Sequence, residues 1–167
     1  MPPLVSVICI CFNHARFVKE ALESVWSQTY EPIELIVVDD ASTDNSVQVI
    51  KQLIVDQQAV KTVFLSENVG NCKAFNLALA QCSGKYVIDL AADDVLFPER
   101  IQRGVDTLAR AGDAYGLHFS DAIWMNEEGK QQYLHSERFP HHTVPTGDVY
   151  AVLIQKYFIC PTSMMFT

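Results

Sequence analysis

The chain has no block of Lys or Arg, no C-x-x-C pair, no apolar run near the roughly 18 residues of a membrane span, and no internal repeat or low-complexity linker. Each absence removes a class of function. Without a basic tract or stripe, the phosphate contacts on which nucleic-acid binding depends are missing. A net charge of −8, spread evenly over the two halves, argues equally against adsorption to an anionic membrane. The five cysteines, Cys9, Cys11, Cys72, Cys82 and Cys160, are odd in number and widely scattered. They suit neither a disulfide framework nor a zinc knuckle, and point to reduced thiols in a cytoplasmic setting. Met1-Pro2-Pro3 lacks the basic and apolar regions of a signal peptide.

What is present is a core. With 167 residues and 49% hydrophobic side chains the chain can bury one good interior, and length favours a single domain. Leu4–Cys11 is a short β-branched run suited to a buried parallel strand, with Cys9 and Cys11 packed on one of its faces. Phe17-Val18, Ala21-Leu22 and Val25-Trp26 then recur at helical spacing, and Pro32 is expected to stop that helix. Ile33–Val38 reads as the next strand. Ser42-Thr43-Asp44-Asn45 offers N-caps for a helix to about Val55. Thr62–Leu65 is a strand, Asn71–Cys82 a helix, Tyr86–Leu90 a fourth strand, and Pro98 opens a helix that runs to about Arg110.

Strand and helix alternating in this way predict a mostly parallel sheet covered on both faces, an α/β fold. From Tyr115 the texture changes. Tyr115–Met125 reads as a longer strand, Asn126-Glu127-Glu128-Gly129 as a hairpin turn and Gln131–Leu134 as its partner. Arg138–Pro145 reads as an irregular loop, Gly147–Lys156 as a short helix and Phe158–Phe166 as a last strand around Pro161. Ending in a β-like run, the chain reads as a domain truncated at its C-terminus.

Two strands run directly into acid pairs: Ile33–Val38 into Asp39-Asp40, and Tyr86–Leu90 into Ala91-Ala92-Asp93-Asp94. In an open α/β sheet ligands gather outside the carboxyl ends of strands. Adjacent carboxylates there repel one another unless a donor or cation compensates, and hard divalent ions prefer such oxygens. Capping and solvation could explain either pair alone. Phe12-Asn13-His14 closes the first strand, where an aromatic can stack on a base and Asn13 can either contact a ligand or cap a helix. Asn68-Val69-Gly70 permits a left-handed turn before Lys73, a charge able to offset an anion. His141-His142 reads as a solvated loop, Trp26 and Trp124 as core.

Taken together, Val5-Ser6-Val7-Ile8 with Phe12-Asn13, Ser27-Gln28-Thr29, Val37–Asp44, Asn68-Val69-Gly70 and Ala92-Asp93-Asp94 with Pro98 resemble the inverting family-two glycosyltransferases over about residues 4–110. The resemblance implies a GT-A fold. About residues 1–112 would be the nucleotide-binding half and about 113–167 the start of an acceptor-side half. It also implies a nucleotide-diphosphate sugar as donor, with UDP expected, and Mg²⁺ or Mn²⁺ as cofactor. The acceptor would be a glycan, lipid-linked or other hydroxyl, as in polysaccharide biosynthesis, in the cytoplasm or at the inner face of a membrane. Carried over by position, Ile10 and Phe12 would lie against the base and Asp40 would read its N–H edge. Asp39 would support the turn, Asp93 would approach the ribose, and Asp94 with Asp93 would meet the metal. Asn13, Asn68, Gly70 and Lys73 would line the nucleotide site.

Two departures stand out. Many members read Asp-x-Asp-Asp at the metal corner where this chain has Ala91. The general base that inverting transfer needs usually lies in an acidic motif beyond this last strand, and Asp121 is the acid nominated within the chain. The alternatives are a non-catalytic nucleotide-binding or scaffold domain of the same fold, and a receiver-like phospho-acceptor module. The latter would put its acid pair after the first strand. A nucleotidylyltransferase is disfavoured because no Gly-rich phosphate loop follows that strand.

Overall fold

The computed structural model describes residues 1–57 and 60–167, with the side chain of His142 outside what is described. Strands β1 (Val5–Cys11), β2 (Ile33–Asp39), β3 (Val60–Phe64) and β4 (Tyr86–Ala91) alternate with helices α1 (Val18–Trp26), α2 (Ser46–Leu53) and α3 (Asn71–Leu79), and α4 (Arg100–Ala111) follows. Then come β5 (Leu117–Phe119), β6 (Ile123–Met125), β7 (Gln131–Leu134), α5 (Tyr150–Gln155) and β8 (Met164–Phe166). One six-stranded sheet has the order β3-β2-β1-β4-β8-β5, and β6 with β7 forms a separate hairpin. β1 pairs in parallel with β2 and β4, and β2 with β3, whereas β8 is antiparallel to β4 and β5.

All seven residues of β1 are buried, as expected of a central strand covered on both faces. On one face Val5, Val7, Cys9 and Cys11 meet Val18, Ala21, Leu22 and Val25 of α1, Ile50 of α2, and Ile101, Val105 and Leu108 of α4. On the other, Ile8, Ile10, Ile36 and Val38 meet Ala74 and Ala78 of α3. Period-2 strands and a 3.6-residue helix stripe thus supply the apolar layers that meet on each face. At the bottom edge of the sheet the Glu34 carboxylate accepts hydrogen bonds from the Ser6 hydroxyl (2.6 Å), Lys61 (2.9 Å) and the Gly84 N–H (3.0 Å), far from the carboxyl ends of the strands.

Four expectations change. Helix α1 ends at Trp26, ahead of Pro32, because Gln28 and Thr29 turn away to bind the Phe97 and Pro98 carbonyls. The strand expected over Tyr115–Met125 breaks after Phe119. There the Asp121 carboxylate accepts the N–H of Ala122 and Ser136, so the chain leaves the main sheet and Ile123–Met125 pairs with β7 instead. The last strand is limited to Met164–Phe166, since Pro161, which has no N–H for a ladder, opens a 3₁₀ turn over Pro161–Ser163. Trp124 is not core: it is 39% exposed and stacks on Tyr133 and His135.

Candidate functional site

The strand order runs outward from β1 in two directions, toward β2 and toward β4. The loops after β1 and β4 thus stand side by side at the carboxyl rim, the crevice position in which such sheets take ligands. Every acid singled out in the first hundred residues stands on this rim.

The β1 and β2 loops are knitted together. Asn13 adopts φ +59° and its side-chain oxygen accepts the N–H of Thr43 at 2.7 Å and of Asp44 at 3.3 Å. In return Ser42 Oγ accepts the Asn13 N–H at 2.8 Å, and Asp44 Oδ2 accepts that of Ala15 at 3.0 Å. Asp39, fully buried, receives the Ser42 N–H (2.9 Å) and hydroxyl (2.6 Å). Asp44 Oδ1 accepts the Ser46 N–H at 2.9 Å and so serves the first turn of α2. Asn13 caps no helix; α1 begins after Phe17 without a side-chain cap.

Asp40 points the other way. It is 2% exposed, and its two oxygens accept the N–H groups of Val69 (2.8 Å) and Gly70 (2.9 Å). Gly70 has φ +84°, a backbone state only glycine adopts freely, and this turn presents both N–H groups to one carboxylate. Each oxygen keeps a lone pair. Ile10 is almost wholly packed at 7% exposure, whereas Phe12, two residues on and on the same face, is 41% exposed at the rim. Asn68 and Lys73 are exposed beside the start of α3.

The β4 corner is fastened from below by α1 and the residues after it. Ser24 Oγ accepts the Leu96 N–H at 3.1 Å, Gln28 donates to the Phe97 carbonyl at 2.8 Å and accepts the Ile101 N–H at 3.1 Å, and Thr29 N–H donates to the Pro98 carbonyl at 2.9 Å. The Ser27-Gln28-Thr29 run thus positions the loop that carries Asp93 and Asp94. Asp93 is exposed, with His14 Nδ1 from the β1 loop 3.6 Å from its carboxylate across the crevice. Asp94 is partly buried and accepts a hydrogen bond from the Thr162 hydroxyl. Burial raises the Asp94 pKa above the ordinary carboxylate range; Asp93 adds to the shift, and Thr162 and His14 oppose it. Asp89, earlier on the same strand, is pushed up to about 6 by burial and by Asp94.

Burial is the main cause of both shifts, and a cation at either carboxylate would favour its charged form. Among the described residues no three His, Cys, Asp or Glu side chains converge on one point, and Ala91 adds no oxygen. The chain can therefore give an ion one or two carboxylate ligands, which is the set that Mg²⁺ or Mn²⁺ uses when diphosphate oxygens and water complete the shell. The residues fit such an ion.

A cavity of about 230 Å³ opens beside this corner, lined by Phe119, Asp121, His135, Ser136, Phe158 and Cys160 among others. Asp121 is exposed, yet its oxygens accept the Ser136 N–H (2.9 Å) and hydroxyl (2.6 Å) and the Ala122 N–H (2.9 Å). Burial would raise its pKa, but these hydrogen bonds outweigh that and hold it below the usual range, which makes it a poor proton acceptor. His141 lies exposed in a 3₁₀ turn with φ +54°. Sequence reasoning missed His14 and Thr162. Thr162 carries no local signal, since it reaches Asp94 from 68 residues away.

A family model described as glycosyl transferase family 2 matches residues 6–166. An uncharacterized glycosyltransferase of Nostoc sp. (strain PCC 7120) is 39% identical over 127 residues, covering 74% of this chain and 38% of the relative. The putative teichuronic acid biosynthesis glycosyltransferase TuaG of Bacillus subtilis (strain 168) is 30% identical over 115 residues, 69% of this chain and 46% of its own. Among solved structures, a mannosyltransferase from Pyrobaculum calidifontis in complex with GDP-Man and Mn²⁺ superposes with a TM-score of 0.65 at 28% identity, over 70% of this chain and 35% of that one. S. aureus TarS in complex with UDP-GlcNAc superposes with a TM-score of 0.59 at 28% identity, over 64% and 31%. The chain spans less than half the length of each of these proteins.

Proposed function

The chain belongs to glycosyl transferase family 2, and from that premise we propose that it binds a nucleotide-diphosphate sugar with a divalent cation and offers it to a hydroxyl acceptor for transfer with inversion. The observation that carries this reading is the crevice between β1 and β4, with Asp40 fixed on one side and Asp93 and Asp94 on the other. A divalent cation carrying a diphosphate suits the two adjacent carboxylates at this corner, Asp93 exposed and Asp94 partly buried.

In this reading Phe12 covers the base from the rim, with Ile10 as the floor beneath it. Asp40, held by Val69 and Gly70, uses its remaining lone pairs for the base edge. Asp93 meets the ribose, Asp94 binds the cation, and Lys73 balances diphosphate charge. Mg²⁺ or Mn²⁺ held there by Asp94 would supply positive charge against the departing diphosphate. Asn13, Asp39, Asn68 and Gly70 shape the loops rather than react. Asp121, tied to Ser136, is assigned to the wall of the neighbouring cavity, where sugar or acceptor hydroxyls would sit, and not to proton removal.

TarS in complex with UDP-GlcNAc and the Pyrobaculum calidifontis mannosyltransferase with GDP-Man support a UDP or a GDP donor, and TuaG, named for teichuronic acid biosynthesis, supports a role in polysaccharide biosynthesis. Five free cysteines favour a cytoplasmic site of action. Equilibrium dialysis against UDP-GlcNAc and GDP-mannose with Mn²⁺ tests the reading. Saturable binding of one of them is expected; no binding of either favours a non-catalytic scaffold.

A further inference from the structure

The segment from Asp94 to Arg100 grips the turn Pro161–Ser163 at both of its ends. At one end the Thr162 hydroxyl donates to Asp94 Oδ2. At the other, the Arg100 guanidinium donates through Nη2 to the Ser163 carbonyl. That carbonyl also accepts the Ser120 N–H at 3.2 Å, and Ser163 turns its own N–H (2.9 Å) and hydroxyl (2.7 Å) back onto the Cys160 carbonyl. The turn is thereby closed on itself and pinned from α4 and from the end of β5.

Arg100 is an unusual residue for a purely structural tie. It is 7% exposed, its Nε and Nη1 find no partner among the described residues, and no carboxylate pairs with it there. Gly104, one turn further along α4, makes room for it: a Cβ there would stand 2.7 Å from Nη1 and 2.7 Å from the Met165 sulfur. A buried guanidinium without a counter-charge is costly. What it holds is the Ser163 carbonyl, one residue after Thr162.

We propose that Thr162 is a positioning residue for the cation. By donating to Oδ2 it fixes the Asp94 rotamer and leaves Oδ1 to the cation, and Arg100 holds the turn from which it does so. Outer-shell donors of this kind orient a ligating carboxylate, and their loss typically weakens metal binding about tenfold or more. The inference rests on the donor-binding reading above. It also ties the corner after β4 to a segment that follows the nucleotide-binding half in the chain, so that the cation site is complete only when residues 161–163 are docked.

The test is titration of Mn²⁺ followed by electron paramagnetic resonance, and calorimetric titration of UDP and GDP with and without Mn²⁺, on the wild-type chain, Thr162→Val and Thr162→Ser. Thermal melting reports whether each variant is folded. Thr162→Val keeps the shape and removes the donor; it is expected to weaken metal-dependent nucleotide binding about tenfold while metal-free binding is unchanged. Thr162→Ser keeps the donor and is expected to stay within about threefold of wild type. Arg100→Met is expected to act in the same direction as Thr162→Val, and if it does not fold the Thr162 pair decides. The proposal is overturned if Thr162→Val matches wild type, if Thr162→Ser loses as much as Thr162→Val, or if metal-free binding falls in parallel. Failure of the wild-type chain to show any metal-dependent binding overturns the donor-binding reading and this inference with it.

Discussion

Asp40 accepts the backbone N–H of Gly70 at 2.9 Å and so joins the end of β2 to the turn that starts α3. Its other oxygen takes the Val69 N–H at 2.8 Å, and the carboxylate is 2% exposed. Asp40→Asn sets an amide NH₂ against one of two backbone donors and leaves that donor unpaired. Such a loss costs on the order of 2 kcal/mol, which chemical denaturation measures. On the proposed reading, in which the same group takes the base edge, nucleotide affinity is expected to fall about tenfold or more.

Glu34 gives the sheet a pH dependence on its acid side. Burial alone would raise its pKa, but hydrogen bonds from the Ser6 hydroxyl, the Ser83 N–H, Lys61 and the Ser83 hydroxyl overcome this and hold it at about 2, against 4.5 for a free glutamate. A folded-state pKa below the unfolded one means stability that is full above the unfolded value and is lost as pH falls through the folded value. The contribution is about 3 kcal/mol at neutral pH, and it disappears between roughly pH 5 and pH 2. Denaturation midpoints across that range are expected to fall steeply for wild type. Glu34→Gln is expected to flatten the slope and lower the neutral-pH stability.

At Gly84 the backbone passes too close for a side chain. A Cβ would lie 2.6 Å from the Ser6 nitrogen and 2.9 Å from the Leu4 carbonyl, both backbone atoms that cannot step aside. Gly84→Ala is expected to destabilise by about 1–3 kcal/mol in a thermal or urea melt, with nucleotide binding kept in the folded fraction.

Much of this was legible beforehand. The strands β1, β2 and β4 announce themselves as apolar runs, and the helices between them as periodic stripes, because burial on both faces leaves no room for ambiguity; β3, a half-exposed edge strand, begins at Val60 rather than Thr62. The acid pairs after β2 and β4 were readable for the same reason: a charge directly after a buried strand has nowhere to sit but the rim. The partners were not readable. Val69 and Gly70 serve Asp40 through backbone N–H groups, which every residue carries. Thr162 meets Asp94 only because β8 inserts between β4 and β5. The region after Phe119 was misread because one side chain, Asp121, offers the backbone an alternative to the sheet.

The cysteines divide by depth. Cys72 is exposed at the start of α3, whereas Cys9 and Cys11 are fully buried and burial raises both thiols well above their ordinary pKa. Under native conditions a thiol reagent is expected to label Cys72 first, Cys82 and Cys160 more slowly, and Cys9 and Cys11 only after unfolding. Mass-spectrometric peptide mapping at timed intervals reads the order.

On the proposed reading Asp94 brings a divalent cation, and through it a diphosphate, into the crevice between β1 and β4. Calorimetric titration of UDP and GDP into the wild-type chain and Asp94→Ala, each with Mn²⁺ and with a chelator, tests it most directly. The account predicts Mn²⁺-dependent binding of at least one nucleotide by wild type and no gain from Mn²⁺ in Asp94→Ala. Equal affinity with and without the metal in wild type, or an undiminished Mn²⁺ effect in Asp94→Ala, would contradict it.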